Sequence, residues 1–308
     1  MPASSYPESP RVRRAEGAGG PLVSVGIPVF NGESFLRQAI DSMLAQSHKN
    51  LELIVSDNAS TDASAAIAQE YANRDPRVRC FRQPRNIGAA RNYNFVAASA
   101  RGKYLKWASA NDYCDTAMLA ACIEVLESDP RVVVCYGKTR LVDEITGAVR
   151  PFDGDFSITE ERPSARLSRV LTDMRLNNAF NGLIRMGPLR KTGLLRSYPS
   201  SDLVLMAELA MAGIFVLLPR PFLYRRMGAR TFSRQLSDAE LRYFIDPEAG
   251  SGAGLDRLRM NIDYFTSVLR ASISLREKRR ALTLLARSAY WDVRKTIGRP
   301  RRASHVRP

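Results

Sequence analysis

Short apolar runs and helix-period stretches alternate along the chain as far as Tyr136. Leu22 to Val29 is an apolar run of strand length, after which Phe35, Leu36, Ile40, Met43 and Leu44 recur at the spacing of one helix face. Leu51 to Ser56 predicts a second strand. Ile67 and Tyr71 mark the helix after it, with Asp62 placed to cap its amino end. Val78 to Arg82 predicts a third strand and Ala89 to Ala98 a third helix, and Tyr104 to Ala108, Met118 to Leu126 and Arg131 to Tyr136 continue as strand, helix and strand. Strands alternating with helices of this length predict βαβ units, an α/β fold around a mostly parallel central sheet flanked by helices.

Beyond Tyr136 the pattern loosens. Gly137 to Pro163 is polar and Gly-rich, which predicts a hairpin or surface excursion. Leu167 to Met174 reads as a short helix, Phe180 to Met186 as a strand, Leu203 to Ala212 as a helix and Ile214 to Leu218 as a further strand. Leu255, Leu258, Ile262, Phe265 and Leu269 form one apolar helical stripe, and a second helix runs through Leu282, Leu285 and Tyr290. The expected organisation is a loose tail over residues 1–20, a first half over 21–135, a second half over 136–232, a helical appendage over 233–295 and a basic tail over 296–308.

Charge changes this picture. The 46 Lys and Arg outnumber the 31 Asp and Glu, giving a net charge of +15 that gathers toward the carboxyl end. Such a surplus favours an anionic partner: nucleic acid, an anionic membrane face or a diphosphate. Aromatic residues are not interleaved with the basic positions, so no nucleic-acid partner is expected. Cys80, Cys114, Cys122 and Cys135 lack paired spacing and the histidines are His48 and His305, a poor set for structural zinc. No apolar run of signal-peptide length follows Arg11, Arg13 and Arg14, and no uncharged 18-residue stretch occurs. The expectation is a cytoplasmic protein, soluble or peripheral on the inner face of the cell membrane.

Candidate chemistry lies where the strands end. Polar loops follow the apolar runs at Pro28-Val29-Phe30-Asn31-Gly32, Asp57-Asn58-Ala59-Ser60-Thr61-Asp62, Asn86-Ile87-Gly88 with Arg91-Asn92, and Ser109-Ala110-Asn111-Asp112. In an open α/β sheet such loops converge on one crevice. Asp112 suits Mg²⁺ or Mn²⁺, which takes one or two carboxylates plus phosphate oxygens; capping the next helix is the other use, and Asp115 can serve that. Asp57 can accept an N–H from a nucleobase edge, with Asp62 left as the cap. Phe30 offers a face for stacking on a base or for the core. Arg91, three residues past Gly88 at a helix entry, favours an anion or lies solvated.

These four motifs, in this order, resemble those of family 2 glycosyltransferases, strongly over about residues 22–135 and weakly to about 230. The resemblance implies a GT-A-like fold with a Rossmann-like nucleotide-binding half and a C-terminal helical appendage, and an inverting enzyme that uses a nucleoside-diphosphate sugar. Phe30, Asp57 and Arg91 would help hold the nucleotide, with Pro28, Asn31 and Gly88 on the same substrate site. Asn111 and Asp112 would occupy the D-x-D-like metal loop, although relatives often carry Asp at the positions of Ser109 and Asn111. The acceptor would be a saccharide or a lipid-linked saccharide, in cell-surface polysaccharide or glycoconjugate synthesis.

Inversion requires a base to take the acceptor's proton. In the family it is typically the Asp of a Glu-Asp pair opening a helix, and Ser201-Asp202 resembles that pair with Ser in place of Glu. Asp202 is thus the candidate; simple capping is its alternative use, and Glu208 and Asp173 are alternative bases. Arg225 or Arg226, in Tyr224-Arg225-Arg226-Met227-Gly228, could reach the diphosphate. The Ser109, Asn111 and Ser201 departures also permit a silent sugar-nucleotide-binding module. The absence of G-x-G-x-x-G after the first strand disfavours an oxidoreductase.

Overall fold

The computed structural model describes residues 19–228, 238–248 and 255–297. β1 (Val23–Val29) leads to α1 (Glu33–Leu44), β2 (Leu51–Asp57) to α2 (Ser64–Arg74) and β3 (Val78–Arg82) to α3 (Ala89–Ser99). β4 (Tyr104–Trp107) runs into the loop before β5 (Tyr113–Cys114) and α4 (Met118–Ser128). β6 (Val132–Asp143), β7 (Val149–Pro151), α5 (Pro163–Asp173), a 3-10 turn at Ala179–Asn181, β8 (Leu183–Arg185), α6 (Met186–Leu189), α7 (Ser201–Ala212) and β9 (Ile214–Met227) follow. Three helices complete the described chain: α8 (Asp238–Ile245), α9 (Asp256–Arg270) and α10 (Leu275–Ile297).

One sheet carries all of these strands, in the order β3-β2-β1-β4-β8-β6-β9-β5, with β7 beside β6. β3, β2, β1 and β4 are mutually parallel, so the loops after them leave the same edge. β8 runs antiparallel between β4 and β6, and the long β6 and β9 pair in parallel, making the second half of the sheet mixed. Every residue of β1 and of β2 is buried, because helices cover both faces. Val25 and Ile27 pack with Leu36 and Ile40 of α1 on one side, while Ile54 and Trp107 pack with Val96 of α3 and Leu205 of α7 on the other. Each such side chain contributes about 1.5–3 kcal/mol. Gly26 lets α3 approach, since a Cβ there would lie 1.9 Å from Val96 Cγ1.

Several boundaries differ from the sequence reading. The polar stretch after Gly137 is indeed a hairpin, but β6 continues through it to Asp143 before folding back as β7. The strand expected over Phe180 to Met186 shrinks to Leu183–Arg185 because Ala179–Asn181 closes as a turn under it. β9 runs on to Met227 because β6 supplies backbone partners that far. The tails expected at 1–20 and 296–308 fall outside the described residues, except that Gly19 and Gly20 are placed and α10 continues to Ile297.

Candidate active site

The edge where β1, β2, β3 and β4 end is built by side chains that pin one loop to another. Asn31 takes a left-handed φ of 51° and its amide oxygen accepts the N–H of Thr61 at 2.8 Å. Ser60 Oγ and Ser64 Oγ accept the backbone N–H groups of Asn31 and Gly32, both at 2.9 Å. Asp62 caps twice, taking the N–H of Ser64 at the head of α2 at 2.9 Å and that of Glu33 at the head of α1 at 3.0 Å. Burial pulls its carboxyl up, but the Ser64 and Glu33 hydrogen bonds leave it below the ordinary range. Asp62 is therefore the cap that the sequence predicts, whereas Asn31 spends its side chain on loop architecture.

Asp57 ends β2 beside Val29 of β1 and Arg82 of β3. It is 2% exposed, accepts the N–H of Ser60 at 3.3 Å and lies 3.4 Å from Arg82 Nε. Neighbouring Asn58 donates to Asn86 Oδ1 at 2.7 Å and accepts the Ile87 N–H at 2.9 Å, which fixes the third loop against the second. Asn92 is structural too: it exchanges hydrogen bonds with Ser56 at 2.6 and 2.9 Å and ties α3 to β2. Pro28 is buried in β1 and Phe30 is half-buried just beyond it.

Gly88 opens α3 at φ +83° and is covered: a Cβ would lie 2.2 Å from the Ile245 carbonyl oxygen of α8. Arg91, one turn on, pairs with Glu248 at 2.9 Å and with Asp246 at 3.4 Å. The anion expected at this helix entry is thus met by two carboxylates of the chain itself, contributed from more than 150 residues away.

Asp112 lies in the loop after β4, which folds back toward the first loop, where a Cβ on Gly32 would be 3.4 Å from Ala110 Cβ. Arg226 of β9 holds this loop. Its backbone N–H donates to Asp112 Oδ1 at 2.9 Å, its guanidinium donates to the Asn111 carbonyl and to Gln38 Oε1, and it stacks over Phe35 at 4.2 Å. Asp112 Oδ2 accepts no hydrogen bond among the described residues. Burial raises the Asp112 carboxyl, and the charges of Arg225, Lys106 and Arg226 oppose that rise. Lys106, fully buried, is anchored to the Asn181 carbonyl at 2.5 Å.

The second half places Asp202 in the first turn of α7, after Ser200 at a left-handed φ of 64°. Its carboxylate caps no backbone N–H; Oδ2 accepts from Asn177 Nδ2 at 2.8 Å. The hydroxyl of the partly buried Tyr93 is pushed up to about 12 by burial first, with the charges of Asp112 and Asp202 adding to the rise and that of Arg225 opposing it. Arg225 donates to Asn178 Oδ1 at 2.8 Å on the same side. The alternative bases are otherwise employed. Glu208 accepts from Arg196 and Ser267, each at 2.6 Å, and Asp173 pairs with Arg169 one turn earlier. The sequence reading missed Asn58, Tyr93 and Asn177.

A divalent ion fits Asp112 in a particular way. Among the described residues no group of three or more His, Cys, Asp or Glu could hold an ion unaided. One open carboxylate oxygen at the loop edge suits an ion whose remaining ligands are phosphate oxygens and water, the usual manner of Mg²⁺.

Comparison with known proteins bears on the same loops. The profile of glycosyl transferase family 2 matches residues 24–178. An uncharacterized glycosyltransferase of Rickettsia typhi is 31% identical over 165 residues, 53% of this chain and 48% of that one. The uncharacterized glycosyltransferase EpsJ of Bacillus subtilis is 36% identical over 118 residues, 38% of this chain and 34% of its own length. The chain thus spans about half or less of the curated relatives it matches. Among solved structures, S. aureus TarS 1–349 in complex with UDP-GlcNAc superposes with a TM-score of 0.64 at 15% identity, covering 86% of this chain and 71% of that one. The mannosyltransferase PcManGT of Pyrobaculum calidifontis, in complex with GDP-Man and Mn²⁺, gives 0.51 at 16% identity, covering 89% and 81%. The architecture is GT-A-like, and with the profile running from β1 into the second half of the sheet, the chain belongs to glycosyl transferase family 2.

Proposed function

We propose that this protein is an inverting glycosyltransferase that moves a sugar from a nucleoside-diphosphate sugar to a hydroxyl of a saccharide or lipid-linked acceptor, in cell-surface polysaccharide or glycoconjugate synthesis at the inner face of the membrane. The observation that carries this reading is Asp112 on the loop after β4, with one carboxylate oxygen taken by the Arg226 N–H and the other accepting no hydrogen bond among the described residues. The nucleotides bound by the solved neighbours, UDP-GlcNAc and GDP-Man, support a sugar-nucleotide donor.

In this reading Asp57 accepts from the nucleobase edge, with Arg82 beside it, and Phe30 supplies a stacking face. Pro28, Asn31 and Gly88 shape the surrounding loops, and Asn111 positions the loop that presents Asp112. Arg91 reaches the donor only by leaving Asp246 and Glu248. Mg²⁺ or Mn²⁺ held at Asp112 would neutralise the charge that collects on the departing diphosphate. Arg225 adds a fixed cation near the same carboxylate. Asp202, oriented by Asn177, takes the proton of the acceptor hydroxyl as its oxygen bonds the anomeric carbon and the bond to phosphate breaks, the electron pair leaving with the nucleoside diphosphate.

The test is a thermal-shift panel of UDP, GDP, TDP and CDP sugars with and without Mn²⁺, followed by product analysis with the stabilising donor. Stabilisation by one donor that strengthens with Mn²⁺, together with sugar transfer or donor hydrolysis above background, is expected. Donor binding with no turnover against any saccharide acceptor would instead favour the silent module that Ser109, Asn111 and Ser201 permit.

A further inference from the structure

The apolar stripe of α9 points the unexpected way. The helix rests on α7 and α10 through Tyr264, Ser267 and Val268, and Phe265 of the stripe packs partly against the core, whereas Leu255, Leu258, Ile262 and Leu269 are 51, 55, 52 and 58% exposed. Leu275, at the head of α10, is 77% exposed. Apolar side chains scattered singly on a surface are ordinary, but several of them gathered along one helix and the head of the next mark an interaction site.

Charge identifies what the ridge meets. From Asp256 to Ile297 the chain carries ten Lys and Arg against four Asp and Glu. Of the acidic groups with assigned partners, Glu277 accepts from Ser164 and Asp263 from Tyr198 on the inner side, and Asp256 pairs with Arg259 at the surface. Arg259 and Arg270 are exposed along α9, and Arg276, Arg279 and Arg287 on α10. A Leu and Ile ridge with Arg side chains around it is the composition of a helix that lies in a membrane interface, its apolar side among the acyl chains and its cations at the headgroups. No described helix is long and apolar enough to cross a membrane, so attachment here would be in the plane.

We propose that α9, with the exposed cationic face of α10, is a docking surface for an anionic lipid bilayer. The inference does not depend on the transfer chemistry at Asp112 and Asp202. Apolar burial and headgroup attraction act together on such a surface, so binding requires both signals.

The full chain is mixed with vesicles of phosphatidylcholine alone and of phosphatidylcholine containing about a third phosphatidylglycerol, and bound protein is separated by flotation. Expected is binding to the anionic vesicles that weakens with salt and is far weaker on neutral ones. Leu258→Asp with Ile262→Asp lowers the partition coefficient about a hundredfold or more, and Arg276→Glu with Arg279→Glu removes the preference for anionic lipid. Thermal melts and donor binding of the same variants stay unchanged, since these side chains are exposed and none is among the residues that fasten the loops at the sheet edge. Equal binding to both vesicle types, or equal binding by the wild type and the Leu258/Ile262 variant, overturns the proposal. So does concentration-dependent dimerisation that the same variant abolishes without any lipid binding, because the ridge would then belong to a second copy. Transfer to a water-soluble acceptor is read on the same samples, so its absence beside intact vesicle binding counts against the transferase reading alone.

Discussion

The carboxyl edge of the sheet and the carboxyl-terminal helices are fastened in different ways. At the edge, apolar strands are sealed and the loops are fastened by Asn31, Asn58, Ser60, Ser64 and Asp62, each spending its polar atoms on another loop's backbone or amide. In the helices, Ser267 of α9 donates to Glu208 of α7 and Glu277 of α10 accepts from Ser164 of α5, while leucines of α9 face out. The first arrangement ties the loops to one another. The second fixes an element to the body while leaving its outer surface for something else.

The largest effect expected from breaking this comparison is at Asp112. Asp112→Asn keeps an oxygen for the Arg226 N–H and so keeps the loop, but removes the negative charge. Turnover at saturating donor should fall by about 10³-fold or more, roughly 4 kcal/mol of transition-state stabilisation. Asp202→Asn also preserves an acceptor for Asn177, and should lower transfer by about 10²–10⁴-fold with donor affinity unchanged. Steady-state kinetics with a titrated donor separates the two. Near-normal turnover in the Asp112 variant would remove the metal assignment, and lost donor affinity with an intact transfer rate in the Asp202 variant would place the base elsewhere.

A smaller effect is expected at Asn58, which touches no reacting atom. Asn58→Ala leaves the Ile87 N–H without its acceptor and Asn86 Oδ1 with only the Gly88 N–H, in a site where Asn58 is 2% exposed. The orphaned Ile87 N–H costs about 1–3 kcal/mol, and about 2–4 °C in Tm per kcal/mol for a domain of this size. Donor affinity should fall with it, because the second and third loops lose their register. A variant with normal stability and donor binding would mean that those loops are held in place by other contacts.

The strand-to-loop rhythm of the first half was legible because parallel strands buried on both faces are short unbroken apolar runs, and their loops must be polar. Asp57, Asp62 and Asp112 could be located for the same reason. Partnerships made across the fold left no local trace. Nothing near Arg91 announces Asp246 and Glu248, and nothing near Asn111 announces Arg226, because such pairs are set by topology and not by period. Glu208 remained a rival base until Arg196 and Ser267 were seen to occupy it. The α9 stripe shows a different limit: an apolar period reports that one helix face is apolar, and burial of that face depends on whether another element covers it.

The smallest effect tests the inward carboxylates. Glu277 accepts the Ser164 N–H at 3.0 Å and the Ser164 hydroxyl at 2.6 Å, joining α10 to the first turn of α5. The Ser164 hydroxyl, followed by its N–H and by Arg280, outweighs burial and lowers this carboxyl from 4.5 to about 2. A folded value below the unfolded one means that the stabilisation is present above about 4.5 and is lost as pH falls toward about 2. Glu277→Gln should therefore be less stable than the wild type at pH 7, by about 1.5–3 kcal/mol for hydrogen bonds to a charged acceptor. Melts at pH 7, 4 and 2.5 should show the gap closing with acid. A gap of constant size would mean that the shape of the side chain, and not its charge, holds α10 to α5; no gap at pH 7 would mean that α10 is held by Ala281 and Leu285, which pack against the core beside it.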